Sequence, residues 1–192
     1  VPPSKSSNPN SHPTSPLRCS AVKSAPTSPE RVASIDIGTN TILLLIAEVR
    51  RGKLKMLFDT ETIVRLGEGV QKNGILSERA MKRGFQALKG YLKQCQEMEV
   101  QKIFAVGTSA LREAKNSDHF LKRVKEEFGL SIDVISGEEE ARLSFLSVAR
   151  DSKKSRKNLL VVDVGGGSTE LILGKGDEII RWVSLPLGIV RF

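Results

Sequence analysis

The sequence predicts an α/β protein, in which a mixed β-sheet is flanked by helices and is followed by the first strands of a second, similar unit. Two observations lead to this prediction. Three apolar runs of strand length come first, and helical and strand-like segments then alternate. A hairpin with a glycine-containing turn also occurs twice in the 192 residues, and an internal repeat indicates two related units.

The first unit begins with three predicted strands, Val32–Ile37, Ile42–Arg50 and Leu54–Val64. A helix follows from Ser77, because its apolar residues alternate four and three positions apart and so share one face. These residues are Met81, Phe85, Leu88, Leu92 and Cys95.

The remaining elements alternate. "KIFAVG" predicts a short buried strand, and a second helix ends at Gly129 as its C-cap. "SIDVIS" predicts a further strand, and a third helix runs from Gly137 to about Arg150. The apolar residues that mark the second helix are Phe120, Leu121, Val124 and Phe128. This is the element order of an RNase H-like domain, which we place at residues 32–151, with a second such domain starting at residues 158–192 after the polar connector "DSKKSRKN".

In such a domain the first, fourth and fifth strands are expected to be parallel, so their carboxyl ends open on one edge, where α/β sheets bind ligands. Three polar turns follow these strands: Asp36-Ile37-Gly38, Gly107-Thr108-Ser109 and Ser136-Gly137-Glu138. The sequence therefore predicts one cleft at this edge, with Thr108 among its phosphate-binding residues.

Residues 1–31 differ in composition from the rest of the chain. Seven of the eight prolines and eight serines lie in the first 29 positions, which hold no acidic residue. Such a segment cannot bury enough apolar surface to offset its ordering entropy, so we expect residues 1–31 to be disordered. A Ser-rich, basic segment is also typical of an organelle transit peptide, and "LRCSA" resembles a chloroplast processing site. This predicts the plastid stroma as the location; a plain disordered linker is the alternative, and the protein is then cytoplasmic.

The composition excludes several classes of protein. Three of the eight net positive charges belong to residues 1–31, and the remaining excess suits an anionic ligand or simply a solvated surface. No apolar run reaches the length of a membrane span, and we expect neither a membrane nor a nucleic-acid partner. Cys19 and Cys95 indicate no disulfide framework, and the two histidines have no partners at metal-ligand spacing.

The repeated hairpin is the strongest functional signal. Aligning Asp36 with Asp163 places Gly38 on Gly165. The turns "GTNT" and "GGGST" offer closely spaced N–H groups and hydroxyls, which suit phosphate, and each hydrogen bond to a charged acceptor contributes about 1.5–3 kcal/mol. The predicted phosphate-binding residues in the two turns are Gly38, Thr39, Asn40, Thr41, Gly165, Gly166, Gly167 and Ser168.

The aspartate before each turn predicts a cation. Asp36 and Asp163 would repel phosphate unless a cation lay between the carboxylates and the phosphate. Mg²⁺ suits this position, because it takes one or two carboxylates together with phosphate oxygens and waters. Glu170, just beyond the second turn, is the third predicted metal-side residue, acting through a metal-bound water. An exposed acid on a strand is an equally good interpretation of Glu170.

Five motifs in order, "IDIGTNT", "RLGEG", "VGTSALREA", "SGEEEAR" and "VDVGGGSTEL", resemble the exopolyphosphatase / guanosine pentaphosphate phosphohydrolase family of the actin–sugar kinase–Hsp70 superfamily. The resemblance extends from about Val32 to Phe192. It implies Mg²⁺-assisted, in-line attack of water on a terminal phosphate of inorganic polyphosphate or guanosine pentaphosphate. It also implies a complete second actin-like domain, of which this chain holds the opening strands, and it is compatible with a homodimer of the full-length protein.

Three consecutive glutamates, Glu138, Glu139 and Glu140, open the third predicted helix, and helix physics alone does not show which of them is catalytic. Ser136 is a plausible N-cap with Glu139 as its capping-box partner, and the helix dipole favours Glu138 and Glu140 as well. The resemblance does choose, because the glutamate directly before the alanine matches the family's water-activating base, which is Glu140.

The resemblance also assigns Arg65 and Arg112 to the phosphate chain, where a guanidinium fork suits phosphate; an ordinary surface arginine is the alternative for each. Two other functions remain open. The first is an ATP-dependent kinase or ATPase of the same superfamily, and the second is a non-catalytic phosphate-binding regulator, against which Glu140 argues.

Overall fold

The computed structural model describes residues 28–151 and 158–190. Within these ranges the strands and helices follow the predicted order, with two additional short helices. The elements are β1 (Glu30–Ile37), β2 (Thr41–Arg50), β3 (Lys53–Ile63), α1 (Val70–Asn73), α2 (Glu78–Glu97), β4 (Lys102–Gly107), α3 (Ser109–Glu113), α4 (Ser117–Phe128), β5 (Asp133–Val134), α5 (Gly137–Asp151), β6 (Asn158–Val164), β7 (Thr169–Lys175) and β8 (Glu178–Leu185).

The first sheet has the strand order β3-β2-β1-β4-β5. β1 is antiparallel to β2 and parallel to β4, and β4 is parallel to β5. In the register of β1, Asp36 lies opposite Leu43 of β2 and Val106 of β4. The predicted mixed sheet is confirmed, and the carboxyl ends of β1, β4 and β5 open on the same edge.

The main core lies between this sheet and α2 and α4. The predicted apolar stripe of α2 faces inward, with Met81 and Leu88 almost fully buried, and Phe85 stacks on Phe120 of α4 at a centroid distance of 5.1 Å. α2 begins where the sequence predicts, and the Ser77 hydroxyl caps it by accepting a hydrogen bond from the backbone N–H of Ala80.

The second sheet has the antiparallel order β6-β7-β8, and α5 packs on it. Ala141, Phe145 and Ala149 of α5 form a separate apolar cluster with Val161 and Ile172. The sequence analysis places α5 at the end of the first unit, residues 32–151, whereas its buried side chains pack on the second sheet. An amphipathic stripe shows that a helix packs on a sheet, but not on which sheet.

Smaller differences concern element boundaries. The predicted disorder of residues 1–31 is wrong for Glu30 and Arg31, which pair with β2, whereas residues 1–27 lie outside the described residues. The helices α1 and α3 were not predicted, since four or five residues show no periodicity. No helix in the described ranges is long and apolar enough to cross a membrane.

Candidate active site

The two glycine turns have the same internal geometry. The backbone N–H of Gly38 donates to the carbonyl oxygen of Thr41 at 3.0 Å, and the N–H of Gly165 donates to the carbonyl oxygen of Ser168 at 2.9 Å. The repeat found in the sequence is therefore also a repeat in structure. Because each turn continues from the strand that carries its aspartate, the two aspartates are presented in equivalent positions.

The second turn needs glycines for space. Gly165, Gly166 and Gly167 are not among the residues with positive φ. A Cβ on Gly166 would instead lie 3.1 Å from the backbone nitrogen of Asn40, and one on Gly167 would lie 2.8 Å from the Thr39 hydroxyl. The segments that approach these glycines are the first turn at Gly166, and Ser109 of α3 together with the first turn at Gly167.

A cleft of about 510 Å³ adjoins the point where the turns meet. Its walls come from both turns, from the segment that follows β3 and from α3. The residues that matter most for the chemistry are Thr39, Lys72, Ser109, Glu113 and Gly167. The Ser109 hydroxyl donates to Glu113 at 2.8 Å and is 2.7 Å from where a Cβ of Gly167 would be. A small or linear anionic ligand has access to backbone and hydroxyl donors here.

Asp36 is the least satisfied carboxylate in the described part of the chain. Its Oδ1 atom is buried and has no hydrogen-bond partner among the described residues. Burial, and after it the negative charge of Asp163, raises the pKa of Asp36 from 3.8 to about 6. Asp163 accepts a hydrogen bond of 2.6 Å from the Ser144 hydroxyl at its Oδ2 atom. The two predicted metal-side aspartates therefore lie close enough to interact.

Glu170 is not an exposed strand residue. Only 2% of its surface is accessible, and its Oε1 atom accepts a hydrogen bond of 2.7 Å from the Ser184 hydroxyl. Its negative charge contributes to raising the pKa of Glu140, so the two carboxylates lie within electrostatic range of each other. The interpretation of Glu170 as an exposed acid is wrong.

A pair of aspartates with an orphaned buried oxygen fits a hard divalent cation, since carboxylate oxygens are the ligands that Mg²⁺ uses. Within residues 28–151 and 158–190, no group of three His, Cys, Asp or Glu side chains forms a cage that could hold a metal ion on its own. Asp36 and Asp163 could therefore hold Mg²⁺ only with ligands from outside this set, such as phosphate oxygens and waters.

The structure distinguishes the three glutamates of "SGEEEAR". Glu138 is exposed, and Glu139 forms two hydrogen bonds of 2.7 Å with Arg142 on the outer face of α5. Glu140 alone pairs with Arg112 of α3, at 2.7 Å. Ser136 caps the helix by accepting from the N–H of Glu139, but the carboxylate of Glu139 bonds to Arg142, so the reciprocal half of the predicted capping box is absent.

Opposing effects set the ionisation of Glu140. Burial raises its pKa, the charge and hydrogen bond of Arg112 lower it, and the charges of Glu170 and Asp36 raise it again; the net change is upward. These four groups therefore lie within electrostatic range of one another, although they come from α3, α5, β1 and β7.

The two predicted phosphate-binding arginines differ. Arg112 is half-buried and donates through Nη1 to both Glu140 and the carbonyl oxygen of Ile135. Arg65 is exposed, with φ of 48°. Its backbone N–H donates to the carbonyl oxygen of Asn40 at 2.8 Å, and its own carbonyl oxygen accepts from the Arg83 side chain. Arg65 is therefore not brought into the Glu140 group.

The other predicted contacts lie at the turns. Thr108 and Ser168 are buried, and Asn40 donates to the hydroxyl of Thr41 at 3.3 Å. Two residues near the site were not predicted from the sequence: Ser144, which donates a hydrogen bond to Asp163, and Ser184, which donates one to Glu170. The only signal for Ser144 was its position four residues after Glu140, on the same face of the helix.

The family comparison agrees with this geometry. The sequence model of the Ppx/GppA phosphatase family matches residues 45–192. The chain belongs to the Ppx/GppA phosphatase family. A guanosine-5'-triphosphate,3'-diphosphate pyrophosphatase of Aliivibrio fischeri is 40% identical to this family member over 166 residues, which are 86% of this chain and 33% of the relative.

Solved structures give the same result. A crystal structure of the Aquifex aeolicus Ppx/GppA family member is 44% identical, with a TM-score of 0.74 over 85% of this chain and 53% of that one. A crystal structure of an exopolyphosphatase from Cytophaga hutchinsonii is 35% identical, with a TM-score of 0.81 over 85% of this chain and 54% of that one. The chain thus spans about a third of the length of the curated relative and about half of these structures.

Proposed function

We propose that the full-length protein is a phosphoanhydride hydrolase, which releases the terminal phosphate of inorganic polyphosphate or of guanosine pentaphosphate. One observation carries the proposal. Glu140 lies half-buried, paired with Arg112 and within electrostatic range of Asp36 and Glu170, two acids whose strands flank the glycine turns. The names of the relatives support the substrate class, since one is a pyrophosphatase for guanosine-5'-triphosphate,3'-diphosphate and another an exopolyphosphatase.

Glu140 is the proposed general base. Its Oε2 atom accepts from Arg112, whereas Oε1 has no hydrogen bond within the described residues and is available to a water molecule. In the proposed reaction the water oxygen attacks the terminal phosphorus in line, the bridging P–O bond breaks with its electrons going to the shortened chain, and Glu140 takes the water proton. Such a base contributes roughly 10²–10⁴ in rate.

Arg112 is proposed to serve the base and the substrate together. Its Nη1 atom is used by Glu140 and Ile135, but Nε and Nη2 have no hydrogen bond within the described part of the chain. The free edge of the guanidinium can therefore bind two phosphoryl oxygens while the other edge holds Glu140. This arrangement brings the phosphate to the base.

The glycine turns are proposed to bind the rest of the phosphate chain, through the backbone N–H groups and hydroxyls of residues 38–41 and 165–168 together with Thr108. A Mg²⁺ ion held by Asp36 and Asp163, with Glu170 behind a bound water, would neutralise charge on the phosphoryl oxygens. Arg65 is proposed to contact the chain farther from the reacting phosphorus, in keeping with its exposure.

The test uses the full-length protein with Mg²⁺ and three substrates: polyphosphate, guanosine pentaphosphate and ATP. Release of inorganic phosphate from the first or the second, with little from ATP, supports the proposal and identifies the preferred substrate. Transfer of phosphate to an acceptor, or release from ATP alone, contradicts it in favour of a kinase or an ATPase.

Three further expectations are proposed with their tests. Plastid targeting rests on the composition of residues 1–31, and an intact-mass measurement of the native protein that finds Val1–Arg31 retained contradicts it.

The boundary between the two RNase H-like units is tested by limited proteolysis, which should cleave first between residues 151 and 158. A homodimer of the full-length protein is tested by light scattering.

A further inference from the structure

We propose that Ser144 is a positioning residue, which orients the carboxylate of Asp163 toward a divalent cation and fixes it relative to Glu140. This inference rests on the proposed function, because it concerns the cation side of the same cleft. Neither the family resemblance nor the sequence motifs assign a role to Ser144.

The contact between Ser144 and Asp163 is short and links distant parts of the sequence. The Ser144 hydroxyl donates to Oδ2 of Asp163 at 2.6 Å, in a half-buried position nineteen residues away along the chain. A distance of 2.5–2.7 Å is typical of a hydroxyl bound to an ionised carboxylate, and such bonds are roughly twice as strong as neutral ones. The hydroxyl therefore restricts rotation of the Asp163 carboxylate.

The restriction determines which oxygen remains for a cation. Oδ2 of Asp163 is engaged by Ser144, whereas Oδ1 has no hydrogen bond within the described residues. Asp36 likewise has one buried oxygen with no partner among the described residues, and the charge of Asp163 is one cause of its raised pKa. Two neighbouring carboxylates, each with an unused oxygen, are the arrangement that a divalent cation satisfies.

The position of Ser144 on α5 couples this carboxylate to the base. Ser144 follows Glu140 by four residues, so both side chains project from the same face of the helix. The next residue after each of them, Ala141 and Phe145, is fully buried against the second sheet. This packing fixes the rotation of the helix about its axis. One rigid helix therefore sets the spacing between the base and the cation-side aspartate.

A second serine repeats the arrangement at Glu170, whose Oε1 accepts from the Ser184 hydroxyl at 2.7 Å. Asp163 and Glu170, the two predicted metal-side acids of the second unit, thus each receive a serine hydroxyl. Hydrogen-bonding partners of ligating side chains typically change metal affinity 10- to 100-fold when they are removed. The expected effect of losing Ser144 is of this size.

The experiment compares four variants of the full-length protein. Ser144→Ala removes the hydroxyl, Ser144→Cys keeps similar volume with a weak donor, and Ser144→Thr keeps the donor. Ser147→Ala is the matched control, because its hydroxyl is on the exposed side of α5 and donates only to the Ser144 carbonyl. Mn²⁺ binding without substrate is measured by electron paramagnetic resonance, phosphate release is measured against Mg²⁺ concentration, and thermal unfolding is recorded for each.

The expected result is Mn²⁺ binding about 10-fold weaker in Ser144→Ala and Ser144→Cys, with normal binding in Ser144→Thr and Ser147→Ala. The Mg²⁺ concentration for half-maximal activity should rise in parallel, while kcat at saturating Mg²⁺ changes much less. Wild-type Mn²⁺ affinity in both Ser144→Ala and Ser144→Cys, or no Mn²⁺ binding by the wild-type protein, overturns the inference. If the wild-type protein binds Mn²⁺ but hydrolyses neither substrate, the proposed function fails and the Mn²⁺ series still decides the role of Ser144. Should Ser144→Ala not fold, the Cys and Thr pair gives the same comparison.

Discussion

Arg112 and Glu140 form an ion pair of 2.7 Å, in which the Nη1 atom that binds Glu140 also donates to the carbonyl oxygen of Ile135. The pair is about four-fifths buried, with 24% and 19% of the side chains accessible. A charge pair at this depth is sensitive to the loss of either partner, because the remaining charge is left desolvated. The first two predictions follow from this relationship.

Glu140→Gln is expected to lower the turnover of the full-length protein by roughly 10²-fold or more, because an amide cannot take the proton of water. Its midpoint of thermal unfolding should fall moderately, since glutamine keeps the shape of the side chain but leaves Arg112 without its partner charge in a largely buried position. Glu139→Gln is the matched control on the next position; it loses only a surface pair with Arg142, so activity should persist and stability fall by less than about 0.5 kcal/mol. Phosphate release and thermal unfolding are measured for both variants. If Glu139→Gln is inactive while Glu140→Gln is active, the base is Glu139 and the assignment to Glu140 is wrong.

The pH dependence follows from the raised pKa of Glu140. The base must be ionised, so kcat/KM should fall as the pH drops through this raised pKa, above the ordinary value of 4.5. Arg112→Gln removes the charge that lowers the pKa, and the acid limb of the profile should move to higher pH. Arg142→Gln removes an equal charge from the outer face of α5 and should leave the limb in place. A limb that does not move in Arg112→Gln shows that another group controls it.

Asp36→Asn is expected to stabilise the cation-free protein at pH 7. The raised pKa means that the folded state prefers the protonated acid, so ionisation costs stability as the pH rises from about 4 to about 6. A pKa change from 3.8 to about 6 corresponds to roughly 3 kcal/mol at most, by 1.36 kcal/mol per pH unit. Urea unfolding with a chelator should therefore show a gain at pH 7 and little at pH 4. Equal effects at both pH values would exclude ionisation as the cause.

Gly188→Ala tests the packing of the second turn. A Cβ at this position would overlap the carbonyl oxygen of Gly166 and the nitrogen of Gly167, which are backbone atoms and cannot rotate away. The variant should lose about 1–3 kcal/mol of unfolding free energy, typical of overpacking. Gly90→Ala is the control, since a Cβ there meets nothing within 4 Å and alanine favours a helix by about 1 kcal/mol. Denaturant unfolding of both variants is the measurement, and an unchanged Gly188→Ala contradicts the close contact.

The sequence predicts the mixed sheet and its site edge because strand and helix periodicities are local properties. The stripe from Met81 to Leu88 and the start of the helix at Ser77 depend only on neighbouring residues, and both are confirmed. The direction of Glu140 could not be predicted in this way. Glu139 and Glu140 are equally compatible with a first helical turn, and only the docking of Phe145 on the second sheet rotates one of them toward Arg112.

The glycines of "GGGST" show the same limit. Their presence indicated a close approach to the backbone, which is correct, but a sequence does not say what approaches. The contacts of Gly166 and Gly167 with Thr39 and Asn40 arise between segments more than 120 residues apart, and no local pattern encodes them. Ser144 was missed for a related reason, because a lone serine within a helix has no distinguishing pattern.

The placement of α5 makes the contact between Glu140 and Arg112 depend on how the two sheets are arranged. The helix begins just after β5 of the first sheet, yet its apolar face belongs to the second sheet. A rotation of one sheet relative to the other therefore moves Glu140 away from Arg112 while the Ser144–Asp163 bond travels unchanged with the second sheet. For the proposed hydrolysis, the arrangement of the two sheets is therefore itself a condition of catalysis, because the proposed base and its arginine meet only when both sheets are in place.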